Sequence, residues 1–311
     1  MDVGSASHPL RVAIIGSGPA GFYTVSNLLK ADDLSIQMDM YEKLPTPFGL
    51  VRAGVAPDHQ KYKSVTKAYD KSAGNASFRF FGNVEYGKHI TLADLQAHYH
   101  QVIFATGAQT DKSLGIPGEQ AEGSHCATDF VAWYNGHPDF TDCQFDLSGH
   151  SAAIIGLGNV AVDVARMLCK TPQELARTDM ADYAVRALSH SHIREVYILG
   201  RRGPAQAAFT PPEIKEMGEL SATDVNVRAE EVALDEVSRF ALDESGDKNA
   251  QKNVEVVNEF AQWQAEGKDK QLTIRFLVSP TEILTDENDK VCGIRIVRNE
   301  TYRADDGTVR V

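Results

Sequence analysis

Two glycine-rich segments of the same form constrain the fold more than any other feature of this sequence. The first, Gly16-Ser17-Gly18-Pro19-Ala20-Gly21, follows the apolar run over residues 12–15 and opens a helical pattern. A short apolar run before such a segment predicts a buried parallel strand, and the order strand, turn, helix predicts a βαβ unit. The sequence therefore predicts an α/β fold in which helices cover a mostly parallel sheet.

The glycine spacing of the first segment is that of a dinucleotide site. Gly16 permits a tight turn, Gly18 leaves room for a pyrophosphate, and Gly21 lets the helix pack closely on the strand. The N-terminus of that helix offers N–H groups and partial positive charge, which suit a diphosphate. A predicted strand over residues 36–41 then ends at Glu42, 21 residues after Gly21, where a carboxylate can accept hydrogen bonds from a ribose. The predicted contacts are Gly16, Gly18, Pro19, Ala20, Gly21 and Glu42. The alternative is a glycine-rich turn that binds nothing.

The second segment, Gly156-Leu157-Gly158-Asn159-Val160-Ala161, repeats the pattern with alanine in the last place. A predicted strand over residues 195–199 follows it and ends at Arg201 and Arg202. A carboxylate there would repel the 2′-phosphate of NADP, whereas guanidinium groups bind it bidentately. Plain surface charge is the alternative for this pair. Two segments with opposite strand endings predict a flavin at the first and NADPH at the second, with hydride transfer between them.

Length and composition are those of a globular protein with two domains. The chain has 311 residues, of which 42% are hydrophobic and 24% charged. No apolar run approaches the roughly 20 residues that span a bilayer, so no membrane span is predicted. The net charge of −12 leaves no basic excess for a nucleic acid partner. The first ten residues lack signal-peptide and transit-peptide features, which predicts a cytoplasmic protein, with a processed organellar form also compatible.

The cysteines disfavour one class of enzyme built on two dinucleotide sites. The four of them are widely scattered and form no C-x-x-C pair. A dithiol redox centre and a local zinc or iron–sulfur site therefore lack support, and no metal site is predicted. A disulfide reductase needs such a pair and is disfavoured. Flavin monooxygenases share the two-site plan, but the sequence between the glycine segments carries no monooxygenase signature.

The region between the glycine segments predicts several shorter features. A helix over about 59–73, capped by Asp58, carries Lys63, Lys67 and Lys71 at i, i+4 and i+8. This basic stripe is either a solvated face or a docking surface for an acidic protein partner. Residues 78–86 predict strands or a hairpin. A further strand, residues 101–104, ends near Gly107, where the backbone can approach a dinucleotide or simply leave the sheet. Residues 116–149 are predicted to be a loop-rich connection.

The region after the second glycine segment predicts helices first and strands last. Helices are expected over about 163–170 and 172–189, and another begins close to Glu213. Glu213 either balances the helix dipole there or lies near a nicotinamide. Residues 224–270 have a charged and mostly helical pattern. Strands are expected over residues 272–278 and 291–297, with a hairpin turn and a short strand in the last residues.

Together these motifs resemble the ferredoxin–NADP⁺ reductases of the adrenodoxin reductase type. The segments that carry the resemblance are residues 16–23, 45–52, 54–59, 156–166 and 200–210, and the likeness extends over nearly the whole chain. The resemblance implies two Rossmann-like domains, with an FAD domain interrupted by an inserted NADP domain. These would be residues 1–108 and 109–301, and residues 302–311 would begin the return to the FAD domain. Because that family continues further, the chain resembles a C-terminally truncated member.

The resemblance also implies roles for individual residues. Glu42 would contact the adenosine ribose of FAD, and Leu50 and its neighbours would line the flavin. Asn159 and Val160 would contact the NADP pyrophosphate, with the 2′-phosphate bound by the arginine pair that follows. His59 matches a position near the flavin that influences hydride transfer, although a histidine beside a helix start is also a common structural residue.

Glu213 matches a family position near the nicotinamide, and with His59 it forms the predicted catalytic pair. The implied reaction passes a hydride from NADPH to FAD and then single electrons to a ferredoxin-type iron–sulfur protein. The alternative is a catalytically impaired dinucleotide-binding module that binds NADP(H) without turnover.

Overall fold

The computed structural model describes residues 2–108 and 111–311. The chain divides into two compact units, one of Met1–Asp111 with Asn135–His137 and the other of Lys112–Tyr134 with Pro138–Val311. The domain boundary predicted between residues 108 and 109 borders residues 109 and 110, which lie outside the described part. Within that part, none of the helices combines the length and the apolar character that a bilayer crossing requires.

The first unit contains a four-stranded parallel sheet in the order β3-β2-β1-β4. Its elements are β1 (Leu10–Ile15), α1 (Pro19–Leu28), β2 (Ile36–Tyr41), α2 (Leu50–Ala53), α3 (Gln60–Lys63), α4 (Thr66–Ala73), β3 (Phe78–Phe81), α5 (Leu92–His98) and β4 (Gln101–Phe104).

Residues 12–15 of strand β1 are apolar and buried because both faces of the sheet are covered. Val12 and Ile14 lie in one core cluster with Phe22 of α1, whereas Ala13 and Ile15 lie in another that includes a buried leucine of α5. Parallel sheets are buried in this way because their crossover helices lie on the two faces. The predicted strand–turn–helix unit is therefore confirmed.

The single helix predicted over residues 59–73 is wrong. The structure has two helices there, α3 and α4, and α3 begins after His59 and not after Asp58. The hydroxyl of Ser64 donates to the carbonyl of Lys61 at 2.6 Å, and the hydroxyl of Thr66 donates to the carbonyl of Lys63 at 3.0 Å. Such local bonds offer the backbone an alternative to a continuous helix.

The break in this helix also divides the predicted lysine stripe. Lys63 lies on α3 and is half-buried, whereas Lys67 and Lys71 lie on α4 and are exposed. Strand β3 is confirmed, but it pairs in parallel with β2 and forms no hairpin with the described residues that follow it.

The second unit contains another four-stranded parallel sheet, in the order β5-β6-β8-β7. Its helices are α6 (Ala127–Tyr134), α7 (Asn159–Cys169), α8 (Pro172–Leu175), α9 (Asp182–Ser189), α10 (Pro211–Met217), α11 (Ala229–Val232), α12 (Glu236–Ser245) and α13 (Lys248–Phe260). Its strands are β5 (Ser151–Ile155), β6 (Glu195–Leu199), β7 (Thr223–Val227), β8 (Lys270–Arg275), β9 (Val278–Thr285), β10 (Val291–Arg298), β11 (Tyr302–Arg303) and β12 (Val309–Arg310). The pairs β9–β10 and β11–β12 are antiparallel.

Two predictions for the second unit are wrong, the first because of packing on the core and the second because of a local hydrogen bond. The stretch over residues 116–149 was expected to be loops but contains α6, whose Phe130, Trp133 and Tyr134 are buried in the core of the unit. The helix predicted over 172–189 is two helices, α8 and α9, and the hydroxyl of Thr178 bonds to the carbonyl of Leu175 at 2.7 Å where the first ends.

Two strand predictions for the second unit also need correction. The mostly helical stretch over residues 224–270 includes most of β7, which forms the edge of the sheet beside β8. The strand expected over residues 272–278 ends at Arg275, because Leu277 has a φ of +55° and the chain turns there into β9. The hairpin expected in the last residues is confirmed as β11 and β12.

Candidate dinucleotide-binding sites

The first glycine segment is a tight turn between β1 and α1 that the protein itself requires. Gly16 has a φ of +102°, and a Cβ there would lie 2.5 Å from the carbonyl oxygen of Ala105. A Cβ on Gly21 would collide with the carbonyl oxygen of Gly16. Both positions therefore need glycine for backbone conformation or for close packing of helix on strand.

Gly18 lies in the same turn but has no such requirement from the protein. Its φ is −73°, which any residue adopts, and a Cβ there would meet no atom within 4 Å. The open space lies at the N-terminus of α1, where Pro19 occupies the first turn and Ala20 follows. Helix N-termini with this space bind phosphate groups, so the turn fits a ligand that approaches the backbone closely.

The carboxylate of Glu42 contacts this turn from the end of β2. Its Oε2 accepts hydrogen bonds from the N–H of Ser17 at 3.0 Å and from the Ser17 hydroxyl at 2.7 Å. Its Oε1 accepts the N–H of Leu44 at 3.1 Å. Glu42 thus fixes the glycine turn from a half-buried position at the carboxyl edge of the sheet, where open α/β folds bind their ligands. Sequence reasoning missed the role of Ser17, and only its place between two glycines hinted at it.

The loop before α2 contacts this turn. The N–H of Phe48 donates to the carbonyl of Ser17 at 3.0 Å, and Phe48 has a φ of +91°. A Cβ on Gly49 would lie 2.9 Å from the Cα of Gly18. Leu50 follows and is exposed. A non-glycine residue in the left-handed region is strained, and such strain is common where a loop is shaped for a ligand.

Two further predicted residues of the first unit have contrasting environments. Gly107 is exposed with a φ of +68°, and a Cβ there would meet nothing within 4 Å. The backbone at Gly107, after the end of β4, therefore has open space beside it. His59 is buried next to the start of α3, with its ring edge-on to that of Tyr62 at 5.3 Å between centroids.

The second glycine segment repeats the geometry of the first. Gly156 has a φ of +133°, in the region that L side chains rarely adopt. Gly158 has a φ of −102° at the start of α7, and a Cβ there would meet nothing within 4 Å. Val160 is exposed in the first turn of that helix. The second unit therefore has the same kind of open space at a helix N-terminus.

The side chain of Asn159 has a structural task that the sequence did not indicate. Its Oδ1 accepts the N–H of Thr210 at 2.8 Å, and the carbonyl of Leu157 accepts the N–H groups of Ala208 and Phe209, each at 2.8 Å. These bonds fasten the segment before α10 to the second glycine segment. A contact from Asn159 to a pyrophosphate stays a prediction.

Arg201 and Arg202 follow the end of β6 after Gly200, and β6 lies beside β5 in the parallel sheet. Both side chains are exposed, and no ion pair within residues 2–108 and 111–311 engages either guanidinium. Their backbone is held in place, because the side-chain amide of Asn299 donates to the Arg201 carbonyl at 2.8 Å and the N–H of Leu277 donates to the Arg202 carbonyl at 3.1 Å. Two permanent cations therefore stand at the carboxyl edge of this sheet.

Glu213 lies in the first turn of α10, as predicted, and is buried. Its Oε2 lies 3.4 Å from Nη1 of Arg166, a buried residue of α7. Arg166 is a functional candidate that sequence reasoning missed, and the available signal was an arginine one turn after Asp163 in a helix that is otherwise mostly apolar. The two residues of the predicted catalytic pair belong to different units, His59 to the first and Glu213 to the second.

Comparison with known proteins agrees with this arrangement. Residues 10–239 match the family described as pyridine nucleotide-disulphide oxidoreductase, and the chain belongs to that family. NADPH-ferredoxin reductase FprA of Mycobacterium tuberculosis is 46% identical over 307 residues, which cover 97% of this chain and 66% of FprA. The mitochondrial NADPH:adrenodoxin oxidoreductase of Arabidopsis thaliana is 48% identical over 231 residues, covering 74% of this chain and 47% of that protein.

The fold is also that of a solved relative. The structure of Mycobacterium tuberculosis FprA in complex with NADPH superposes with a TM-score of 0.91 at 45% identity, covering 97% of this chain and 66% of that one. The predicted α/β class and the resemblance to ferredoxin–NADP⁺ reductases of the adrenodoxin reductase type are both confirmed. The chain spans about two thirds of the length of FprA. The family name refers to a disulphide, whereas the four cysteines of this chain are widely scattered in the sequence and form no C-x-x-C pair.

Proposed function

We propose that this protein is a flavoprotein oxidoreductase that passes a hydride from NADPH to FAD and then single electrons to a ferredoxin-type iron–sulfur protein. One observation carries the proposal. The two glycine turns have the same geometry but opposite charge beside them, with Glu42 at the first and Arg201 with Arg202 at the second. The relatives named NADPH-ferredoxin reductase support the direction of the reaction.

In this proposal the first unit binds FAD. The pyrophosphate would lie against the open backbone at Gly18, and the half-buried carboxylate of Glu42 would accept hydrogen bonds from the adenosine ribose. The exposed Leu50 and the open backbone at Gly107 would line the flavin. When bound, FAD supplies the chemistry that joins two-electron and one-electron transfer, and the protein supplies position and electrostatics.

The second unit would bind NADPH. The pyrophosphate would lie at Gly158 and Val160, where α7 begins, and the two exposed guanidinium groups would bind the 2′-phosphate. Asn159 would contribute its backbone, since its side chain holds the segment before α10. Glu213 would lie near the nicotinamide. These groups all belong to the second unit, residues 112–134 and 138–311. Because this unit contains the whole proposed NADP(H) site, a second candidate function is NADP(H) binding without turnover.

An acidic ferredoxin-type partner needs a local basic surface, because the chain as a whole carries a net charge of −12. Lys67 and Lys71, both exposed on α4, offer such a surface on the first unit. From the sequence we also propose that these two lysines contribute to docking and that the protein is cytoplasmic.

An absorption spectrum of the purified chain separates the two functions. The reductase proposal expects a flavin spectrum that NADPH bleaches under anaerobic conditions and that NADH bleaches far more slowly. A colourless protein that binds NADPH, and that stays colourless after incubation with FAD, would support binding without turnover. Flavin that NADPH cannot reduce would contradict the hydride-transfer step.

A further inference from the structure

Arg166 is the most deeply buried charged side chain of the second unit. It lies on α7 with 1% of its surface exposed, and its Nη2 lies 2.7 Å from Oδ1 of Asp163, one turn earlier on the same helix. Removing a guanidinium from water is expensive, and a protein retains one in its interior only with close carboxylate partners. Asp163 alone would satisfy that need, but the guanidinium also contacts a second helix.

That second helix is α10. Nη1 of Arg166 lies 3.4 Å from Oε2 of Glu213 and 3.4 Å from Oε2 of Glu216. The two glutamates differ in burial, since 5% of the Glu213 side chain is exposed against 34% for Glu216. Of these two glutamates, Glu213 is therefore the one shielded from water.

Arg166 also forms a second link between two helices that are already joined at their starts. The first link is the hydrogen bond from the N–H of Thr210 to Asn159, which ties the start of α10 to the second glycine segment. Arg166 lies about two helical turns further along α7. The start of α7 is the proposed pyrophosphate site, so the two links together fix where Glu213 lies relative to that site.

We propose that Arg166 is a positioning residue that holds the Glu213 carboxylate in one orientation, toward the nicotinamide end of a bound NADP(H). This inference rests on the proposed function. A fixed carboxylate attracts the positively charged ring of NADP⁺ more strongly than the neutral ring of NADPH. Arg166 thereby acts on the nicotinamide through Glu213 and not by touching it.

Titration calorimetry with two probes tests this on the full chain. NADP⁺ carries the nicotinamide, whereas 2′,5′-ADP presents only the adenosine end with its 2′-phosphate. Arg166→Met is expected to lower the affinity for NADP⁺ about tenfold and to leave that for 2′,5′-ADP within about twofold. Glu213→Gln is expected to give the same pattern, and the double variant no further loss, because both changes remove one interaction.

The matched control is Glu216→Gln, which removes a carboxylate at the same 3.4 Å distance from the same guanidinium. It is expected to leave both affinities unchanged. Arg166→Lys keeps the charge and should restore part of the NADP⁺ affinity. If Arg166→Met does not fold, Arg166→Lys provides the test. It should lower the affinity for NADP⁺ when Glu213 is present and leave that affinity unchanged in the Glu213→Gln variant.

Three results would overturn the inference. An equal loss of affinity for both probes in Arg166→Met would show that Arg166 contributes only to folding. Additive losses in the double variant would show that it does not act through Glu213. A wild-type chain that fails to bind 2′,5′-ADP would refute the proposed NADP site, and the positioning role with it, which separates that failure from the other two.

Discussion

The Glu42 carboxylate accepts two hydrogen bonds from one residue, the N–H of Ser17 at 3.0 Å and the Ser17 hydroxyl at 2.7 Å. Ser17 lies between Gly16 and Gly18, so the end of β2 is bonded to the turn that opens α1. This carboxylate therefore shapes the proposed flavin site before any ligand arrives. The charge that would recognise the ribose and the bond that holds the turn belong to the same side chain.

Replacement of Glu42 by alanine should reduce both FAD retention and stability. The substitution removes the ribose acceptor and leaves the Ser17 donors unpaired, and each lost bond to a charged acceptor is worth about 1.5–3 kcal/mol. We expect the FAD content after gel filtration to fall at least about tenfold. Ser17→Ala is the control, because it removes one donor and keeps the carboxylate. Equal flavin loss in both variants would mean that Glu42 acts only on the turn.

Gly18→Ala should separate folding from ligand binding. A Cβ there meets nothing within 4 Å, and a φ of −73° suits alanine. We expect the free energy of unfolding to stay constant or to rise by about 0.4–1 kcal/mol, while FAD binding is lost. Gly16→Ala, with its Cβ 2.5 Å from the carbonyl oxygen of Ala105, should destabilise the fold instead. Denaturant titration and flavin content measure the two effects, and full FAD binding by Gly18→Ala would refute the pyrophosphate assignment.

Arg201→Glu combined with Arg202→Glu should change cofactor preference. Only NADPH carries the 2′-phosphate, so its affinity should fall by more than about a hundredfold and that of NADH by less than about threefold. Arg186→Glu provides a control, since it reverses the charge of another exposed arginine, on α9 of the same unit. Equal loss for both cofactors would count against the assignment of the two arginines.

Cys169 should resist thiol reagents in the folded protein. Burial raises the pKa of its thiol to about 12, whereas Cys126 and Cys292 are exposed. At about pH 8 an ordinary thiol is partly ionised and reacts as the thiolate. Mass spectrometry after brief labelling should find the two exposed cysteines modified and Cys169 only after denaturation. Labelling of Cys169 at the rate of Cys292 would show that the second unit opens readily.

The sequence predicts the sheets and the glycine turns because these depend on local pattern. Apolar runs, glycine spacing and a charged residue at a strand end are all visible within some thirty residues, the usual length of a βαβ unit. That was sufficient to place Gly18, Glu42 and Arg202 at the carboxyl edges of their sheets.

Side-chain partners from distant segments could not be predicted in this way. Arg166 and Glu213 are 47 residues apart in the sequence, and their contact depends on how α7 packs against α10. The break between α3 and α4 was missed for a different reason, since hydroxyl bonds to nearby carbonyls override a helical pattern without altering it. The sequence shows the apolar residues of α6, but it does not show that they are buried in the core of the second unit.

The open space beside Gly18 and Gly158 has a consequence for how this sequence can diverge. Chains under selection for folding alone would be free to replace these two glycines, whereas Gly16 would persist because its φ is +102°. Descendants that have lost the cofactors but kept the fold should therefore be recognisable by a side chain at Gly18 or Gly158 beside an intact Gly16. The residues at these two positions should therefore indicate whether a lineage still binds its nucleotide cofactors.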